Sequence, residues 1–233
     1  MDVDAGSVAA FAALLADRTR AGICLALIDG RAWTAGELAA HTGVARSTAS
    51  EHLTALVSAG LLAEERQGRH RYVRLAGPGI AALVEDLAGA VGTPRPPVSL
   101  RSARAAGELS AARTCYDHLA GALGVALFDA LVGADLVRTR DGLALTGPGR
   151  EWFTGLAGET ALWARGSRPL LRTCLDWTER RPHLGGRLGA VLHRELLRRE
   201  WVVPLPRHRA VRLTPVGATG LADLLGRDLG VPA

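Results

Sequence analysis

Apolar positions in the first ninety residues recur at helical spacing. Val8, Phe11, Ala12 and Leu15 share one face at a 3.6-residue period and predict a first helix. A second apolar stretch, Ala21 to Ile28, runs into the turn pair Asp29-Gly30. Thr34 with Glu37 three residues on forms a capping-box pattern, which predicts a short helix over about 35–41. Thr42-Gly43-Val44 interrupts it, and a further helix follows from about Ala45 to Ser58, closed by Gly60. The period then changes from helical to alternating. Leu61–Glu65 and Arg71–Leu75 read as two strands joined at Gln67-Gly68-Arg69-His70. Pro78 opens a last helix with Ile80, Leu83, Val84 and Leu87 as its apolar stripe. The order helix, helix, helix–turn–helix, hairpin, helix is that of a winged helix-turn-helix, here residues 1–90.

Beyond residue 90 the pattern breaks. Residues 91–101 hold three prolines within four positions, which predicts a linker. The remainder, 102–233, contains two segments that align with each other, about 111–160 and 170–228. Arg113-Thr-Cys-Tyr-Asp-His118 answers Arg172-Thr-Cys-Leu-Asp-Trp177. Leu123-Gly124 answers Leu188-Gly189, and Leu145-Thr-Gly-Pro-Gly149 answers Leu213-Thr-Pro-Val-Gly217. The tail of the second segment, Arg207-His-Arg-Ala-Val-Arg-Leu213, also echoes the hairpin strand Arg69-His-Arg-Tyr-Val-Arg-Leu75. The expected fold is therefore mainly α with small β-hairpins (α+β). An N-terminal winged helix-turn-helix is followed by two degenerate winged-helix-like repeats that form a sensing or dimerising domain.

Composition narrows the functions available. The 233 residues are 48% hydrophobic and 22% charged, as in a globular chain, and no apolar run approaches a membrane span. All 28 basic residues are arginine. The missing lysine removes P-loop, Schiff-base, kinase and β-lactamase chemistry. No GxSxG, HExxH or GxGxxG motif is present, so an enzyme is not expected. An acidic N-terminus without a basic n-region and three cysteines without CxxC fit a cytoplasmic protein. Residues 91–233 carry twenty arginines against thirteen acids, a balance that favours an anionic partner or only a solvated surface.

The second helix of the helix–turn–helix has two chemically distinct faces. Ala49, Leu53 and Leu56 are expected to pack inward. Arg46, Ser47, Thr48, Ser50 and His52 present short donors and acceptors plus one guanidinium, suited to base edges and phosphates. Thr34 at the entrance of the preceding helix joins this set. The hairpin adds Arg66, Arg69, His70 and Arg71, suited to phosphate or minor-groove contact, with Glu64 and Glu65 limiting the positive potential. The partner this implies is double-stranded operator DNA. Two alternatives stay open: that these polar residues solvate a surface helix, or that the winged domain binds a protein.

Residues 1–90 resemble the ArsR family of winged-helix repressors. The resemblance rests on Leu15-Ala-Asp-Arg-Thr-Arg20, Gly36-Glu-Leu-Ala39, Ser47-Thr-Ala-Ser-Glu-His-Leu53, and Gly60-Leu-Leu62 leading to Gly68-Arg69. Arg18 departs from the family's usual proline. The resemblance implies a homodimer through the first and last helices of the domain, two operator half-sites, and repression relieved by an effector. Some similar family members sense cadmium or lead through cysteines in and after the recognition helix. Ala55 and Ala59 stand near there and no cysteine does, so that site does not carry over. Long ArsR-type regulators have motifs similar to those of the second half, and name no effector for it.

The second half holds its own candidate sensor. Cys115 and His118 are three positions apart, so on a helix they would share one face. Cys174 and His183 stand at the equivalent place in the second segment. If the two segments pack with pseudo-symmetry, two thiolates and two imidazoles would meet, a set suited to Zn(II) or another thiophilic ion. The alternatives are two cysteines acting as small apolar side chains, a Cys115–Cys174 redox pair, or a Cys115–His118 nucleophile of an enzyme. Cys24 is expected in the core. Asp117 and Asp176 are expected to cap, or to pair with, Arg113 and Arg172 respectively. Trp152, Trp163, Trp177 and Trp201 are expected as core, or as the lining of a ligand pocket. Arg207, His208 and Arg209 form a basic third hairpin that would reach phosphate or stay solvated.

Overall fold

The computed structural model describes residues 4–28, 30–68, 70–91, 100–159, 168–206 and 209–231. The chain divides into two compact units, Met1–Val84 and Glu85–Ala233.

The first unit begins with α1 (Ala5–Leu15) and α2 (Arg18–Ala26), each capped by an aspartate whose carboxylate accepts a backbone N–H three residues on. Arg18 stands at the first helical position of α2, where an N–H is unpaired in any case, so the departure from proline leaves the helix intact. Thr34 caps α3 (Ala35–Thr42) with the expected reciprocal bonds to Glu37. Gly43, at φ +72°, makes the left-handed turn into α4 (Arg46–Ser58). A two-residue strand, β1 (Trp33–Thr34), joins β2 (Leu62–Gln67) and β3 (His70–Leu75) in an antiparallel sheet of order β1-β3-β2. Two residues are too few to alternate visibly, so the sequence gives no sign of β1. Ile23, Leu27, Leu38, Leu53, Leu56, Leu61, Val73 and Leu75 are fully buried and form the core with Cys24. Each such aliphatic side chain contributes about 1.5–3 kcal/mol of burial free energy. No residue of α1 is buried although the helix is almost wholly apolar; Val8 is 56% exposed.

The helix α5 (Pro78–Val91) contains the boundary between the units. Its expected stripe is split: Val84 is buried, Leu83 and Leu87 are exposed, and Glu85 lies inside at 1% exposure. Both ends of the expected 91–101 linker are helical, since α5 runs through Val91 and α6 (Leu100–Ala111) begins at Leu100. Its centre, 92–99, lies outside the described residues.

The second unit follows α6 with the same order of elements twice over. The first pass is β4 (Arg113–Cys115), β5 (His118–Ala120), α7 (Gly121–Gly133), β6 (Val137–Arg138), β7 (Ala144–Leu145) and α8 (Gly147–Ala157). The next is β8 (Arg172–Leu175), β9 (Pro182–Gly185), α9 (Gly186–Arg198), β10 (Val202–Pro204), β11 (Val211–Leu213) and α10 (Pro215–Leu225). Each pair of strands is an antiparallel hairpin. The two passes interlock: α7 packs on β9, and α9 packs on β5. The matched glycines sit at this crossing: a Cβ on Gly189 would stand 3.1 Å from His118 Cβ and one on Gly124 3.7 Å from His183 Cβ, and each would also strike a carbonyl oxygen of its own hairpin, Leu184 at 2.4 Å and Leu119 at 2.6 Å. The apolar core of this unit, from Leu119 and Phe128 to Leu188 and Leu221, is continuous through both passes.

Candidate DNA interface and metal centre

In α4 the burial follows the expected division. Ala49, Leu53 and Leu56 are fully buried, Arg46 and Ser47 are exposed, and Thr48 and Ser50 are half-buried. The Arg46 guanidinium lies over Gly36 of α3, 3.7–3.9 Å from where a Cβ would be, an ordinary van der Waals distance. The other members of the set are less free. The Thr34 hydroxyl donates to Glu37 Oε2 at 2.8 Å and so serves the helix cap. His52 turns back toward the cap of α2, its Nδ1 3.8 Å from Asp17 Oδ1. On the wing, Glu64 binds both Arg66 (3.1 Å) and Arg71 (2.7 Å), which lowers the potential these two arginines can offer a phosphate. Arg66 remains 77% exposed. Arg69 lies outside the described residues, and of His70 only the backbone is described.

Cys115, His118, Cys174 and His183 come together in the second unit. Their ligand atoms all lie within 4.8 Å of one another, and all four residues are buried. The expected helical spacing is corrected. Cys115 and His118 face each other across β4 and β5, and Cys174 and His183 across β8 and β9. In the first hairpin the strands are joined by Tyr116-Asp117 alone, with Tyr116 at φ +59°. Cross-strand partners on one face are as close as residues one helical turn apart, so the same spacing serves either geometry. Gly185 closes the arrangement: a Cβ there would be 3.2 Å from both Cys174 Sγ and His118 Nε2.

The charges around this cluster are uneven. Cys174 is pushed down to about 5, first by the Cys115 thiol and then by His118, against the opposing effect of burial. Cys115 is raised well above the ordinary thiol range by Cys174 and by burial. The two thiols are thus shifted in opposite directions. Burial would lower His118, but Asp117 and Cys174 outweigh it and raise the imidazolium. His183 is pushed down to about 3, by burial first and the nearby His118 second, and is neutral. The two rings lie 5.3 Å apart. Among the described residues, His118 Nε2 and both ring nitrogens of His183 have no hydrogen-bond partner. Buried polar atoms in that condition each cost about 1–3 kcal/mol.

The expected arginine–aspartate pairing is also corrected: Arg113 pairs with the aspartate of the other pass, and Arg172 pairs with neither. Arg113, fully buried, donates to Asp176 at 2.9 Å and stacks 4.5 Å over Trp177. Arg168 holds both oxygens of Asp117, while Arg172 binds Asp86 at 2.9 Å. Burial would raise Asp117, but Arg168 and His118 hold it at about 2. Sequence reasoning missed Arg168, His193, whose Nδ1 contacts the Asp117 carbonyl at 3.1 Å, and the buried Glu85. Glu85 pairs with Arg209, so that arginine of the third hairpin is not free for phosphate, and Arg207 and His208 lie outside the described residues. Trp152 and Trp201 pack on the core, and Trp163 is also outside the described residues. Cys24 is fully buried and its thiol is pushed up to about 11 by burial.

A helix set in a turn-and-wing frame with an open polar row, and a separate unit with a closed Cys2His2 cluster, define a winged helix-turn-helix regulator with an appended domain. A family model for a helix-turn-helix domain matches residues 15–65. An HTH-type transcriptional regulator of Bacillus subtilis, YdfF, is 39% identical over 213 residues, 91% of this chain and 93% of its own length. The regulator CmtR of Mycobacterium bovis is 40% identical over 92 residues, 38% of this chain and 77% of its own. Among solved structures, the cadmium metal-sensor CmtR of Mycobacterium tuberculosis is 36% identical over 40% of this chain and 99% of that one, with a TM-score of 0.32. The homodimeric winged helix-turn-helix DNA-binding domain Mb0332 of Mycobacterium bovis is 31% identical over 39% of this chain and 87% of that one, with a TM-score of 0.34. The chain belongs to the family of HTH-type transcriptional regulators. It is a DNA-binding regulator of transcription. Among the described residues no helix is long and apolar enough to cross a membrane.

Proposed function

We propose that this regulator is a repressor, that it binds a two-half-site operator as a homodimer, and that capture of a thiophilic ion by Cys115, His118, Cys174 and His183 releases it. Zn(II) is the first candidate ion. The observation that carries the reading is the buried cluster with unpaired imidazole nitrogens, a donor set that an ion would complete. A tetrahedral S2N2 zinc shell has ligand–ligand edges of about 3.3–3.8 Å, from Zn–S near 2.3 Å and Zn–N near 2.0–2.1 Å. Ligand atoms already within 4.8 Å of one another reach that shell by small shifts of two hairpins. Four protein ligands leave no open position, which favours binding over catalysis, and burial of Cys115 and His118 keeps a substrate from any Cys–His nucleophile.

Arg46, Ser47, Thr48 and Ser50 of α4 are the proposed base and phosphate contacts, with Arg66 and Arg71 on the wing. The exposed apolar residues of α1 and α5, Val8, Leu83 and Leu87 among them, are what a second copy would cover. A footprint on the DNA upstream of the chain's own gene, with and without Zn(II), tests the reading. Protection of two half-sites that weakens steeply with salt and is lost on adding the ion is expected. Protection unmoved by Zn(II), Cd(II) or Cu(I), in protein purified metal-free, refutes the metal effector. The nearness of the Cys115 and Cys174 sulfur atoms, within 4.8 Å of each other, favours a second reading, release by a thiol oxidant, which predicts loss of both free thiols on release.

A further inference from the structure

Two aspartates flank the cluster. Each lies beside one ligand histidine; Asp176 is held by Arg113 of the first pass, and Asp117 by Arg168, which lies just ahead of β8. Asp117 Oδ1 lies 3.3 Å from His118 Nδ1, and Arg168 binds Asp117 through both oxygens. Asp176 Oδ2 lies 3.6 Å from His183 Nδ1 and accepts from Arg113 at 2.9 Å. In His118 the Nδ1 bonds the carboxylate and leaves Nε2 for the cluster, and a Cβ on Gly185 would stand 3.2 Å from both that Nε2 and Cys174 Sγ. Asp176 is anchored further by the N–H groups of Gly121, Thr178 and Glu179, at 2.6, 2.9 and 3.1 Å.

From this geometry we infer that Asp117 is a positioning residue of the ion site: it fixes the ring orientation and tautomer of His118 so that Nε2 is presented to the ion, while Asp176, not hydrogen-bonded to His183, sets only the charge beside that ring. The inference rests on the metal reading above. A carboxylate on the far nitrogen of a ligand histidine raises its basicity and locks its ring, and removing such a partner typically lowers metal affinity 10–100-fold. The arginine on Asp117 gives this pair a second consequence. His118 can be held correctly only while the two passes stay docked, because Arg168 lies just ahead of β8. The two aspartates also differ in exposure: Asp117 is 36% exposed at its side chain and Asp176 is fully buried. Asp117 can therefore be perturbed without endangering the fold.

The test uses the full chain and Zn(II) or Co(II) as probe, with affinity read by chelator competition and geometry by the Co(II) absorption spectrum. Asp117→Asn is expected to lower Zn(II) affinity 10–100-fold while the thiolate-to-Co(II) charge-transfer band persists. Arg168→Gln is expected to reproduce part of that loss. The discriminating measurement is the pair Asp117→Asn and His118→Ala, singly and together. An aspartate acting through His118 costs nothing more once His118 is gone, whereas a merely structural aspartate costs the same in both backgrounds. Unchanged affinity in Asp117→Asn, or full additivity with His118→Ala, overturns the inference and leaves the ion site standing. Failure of the unmutated chain to bind either ion with a thiolate band overturns the ion site and the inference together.

Discussion

Replacing Arg113 by methionine tests the buried pair on which the second unit turns. The change keeps the length of the side chain and removes its charge. Four interactions go with it: the bonds to Asp176 (2.9 Å), the Leu109 carbonyl (3.0 Å) and the Thr178 hydroxyl (3.1 Å), and the stacking 4.5 Å over Trp177. Asp176 is left fully buried with no cation bonded to it, and breaking such a pair by removing one partner costs about 3–5 kcal/mol. Asp176 keeps three backbone N–H donors and the Thr178 hydroxyl, which places the expected cost at the lower end, about 3 kcal/mol. For a unit of about 150 residues that is a fall of roughly 6–12 °C in Tm. Calorimetry of the metal-free full chain would follow the transition of this unit. Arg113→Met combined with Asp176→Asn removes both charges and is expected to be more stable than Arg113→Met alone. A shift under about 2 °C for the single variant, or a double variant as unstable as the sum of the singles, would refute the reasoning.

Further outcomes follow from other sites. Arg46→Ala should weaken operator binding about 5–150-fold and relax base preference at one position, read by gel shift on mutated operators; an equal loss on all sequences would reassign Arg46 to phosphate. Leu53→Ala, at a fully buried position of α4, should destabilise the first unit by about 2–5 kcal/mol in denaturant melts. Gly189→Ala puts a Cβ 2.4 Å from the Leu184 carbonyl oxygen and 3.1 Å from His118 Cβ, so it should displace His118 and weaken Zn(II) uptake in chelator competition. Cys24, with its thiol pushed up to about 11, is protonated at every pH below that, so iodoacetamide at pH 8 should leave it unlabelled by mass spectrometry until the chain unfolds.

Local chemistry made the first unit readable. A capping box, a left-handed glycine and a change from helical to alternating period are each written in a few adjacent residues, and Thr34, Gly43 and the hairpin strands stand where those signals put them. The inward face of α4 was legible for the same reason, since periodicity alone sorts Ala49, Leu53 and Leu56 from Arg46 and Ser47. The recurrence of Cys, Asp and His also named the four members of the cluster. It did not give their geometry, because a three-residue spacing serves a helical turn and a tight hairpin equally well, and only the pairing of β4 with β5 decides between them. The pairing of Arg113 with Asp176 and of Arg168 with Asp117, the burial of Glu85 against Arg209, and the turning of His52 toward Asp17 were invisible in the sequence. Each joins residues far apart in the chain. Sequence fixes what a side chain can do; which partner it meets depends on how α7 and α9 cross onto each other's hairpins, and packing alone decides that.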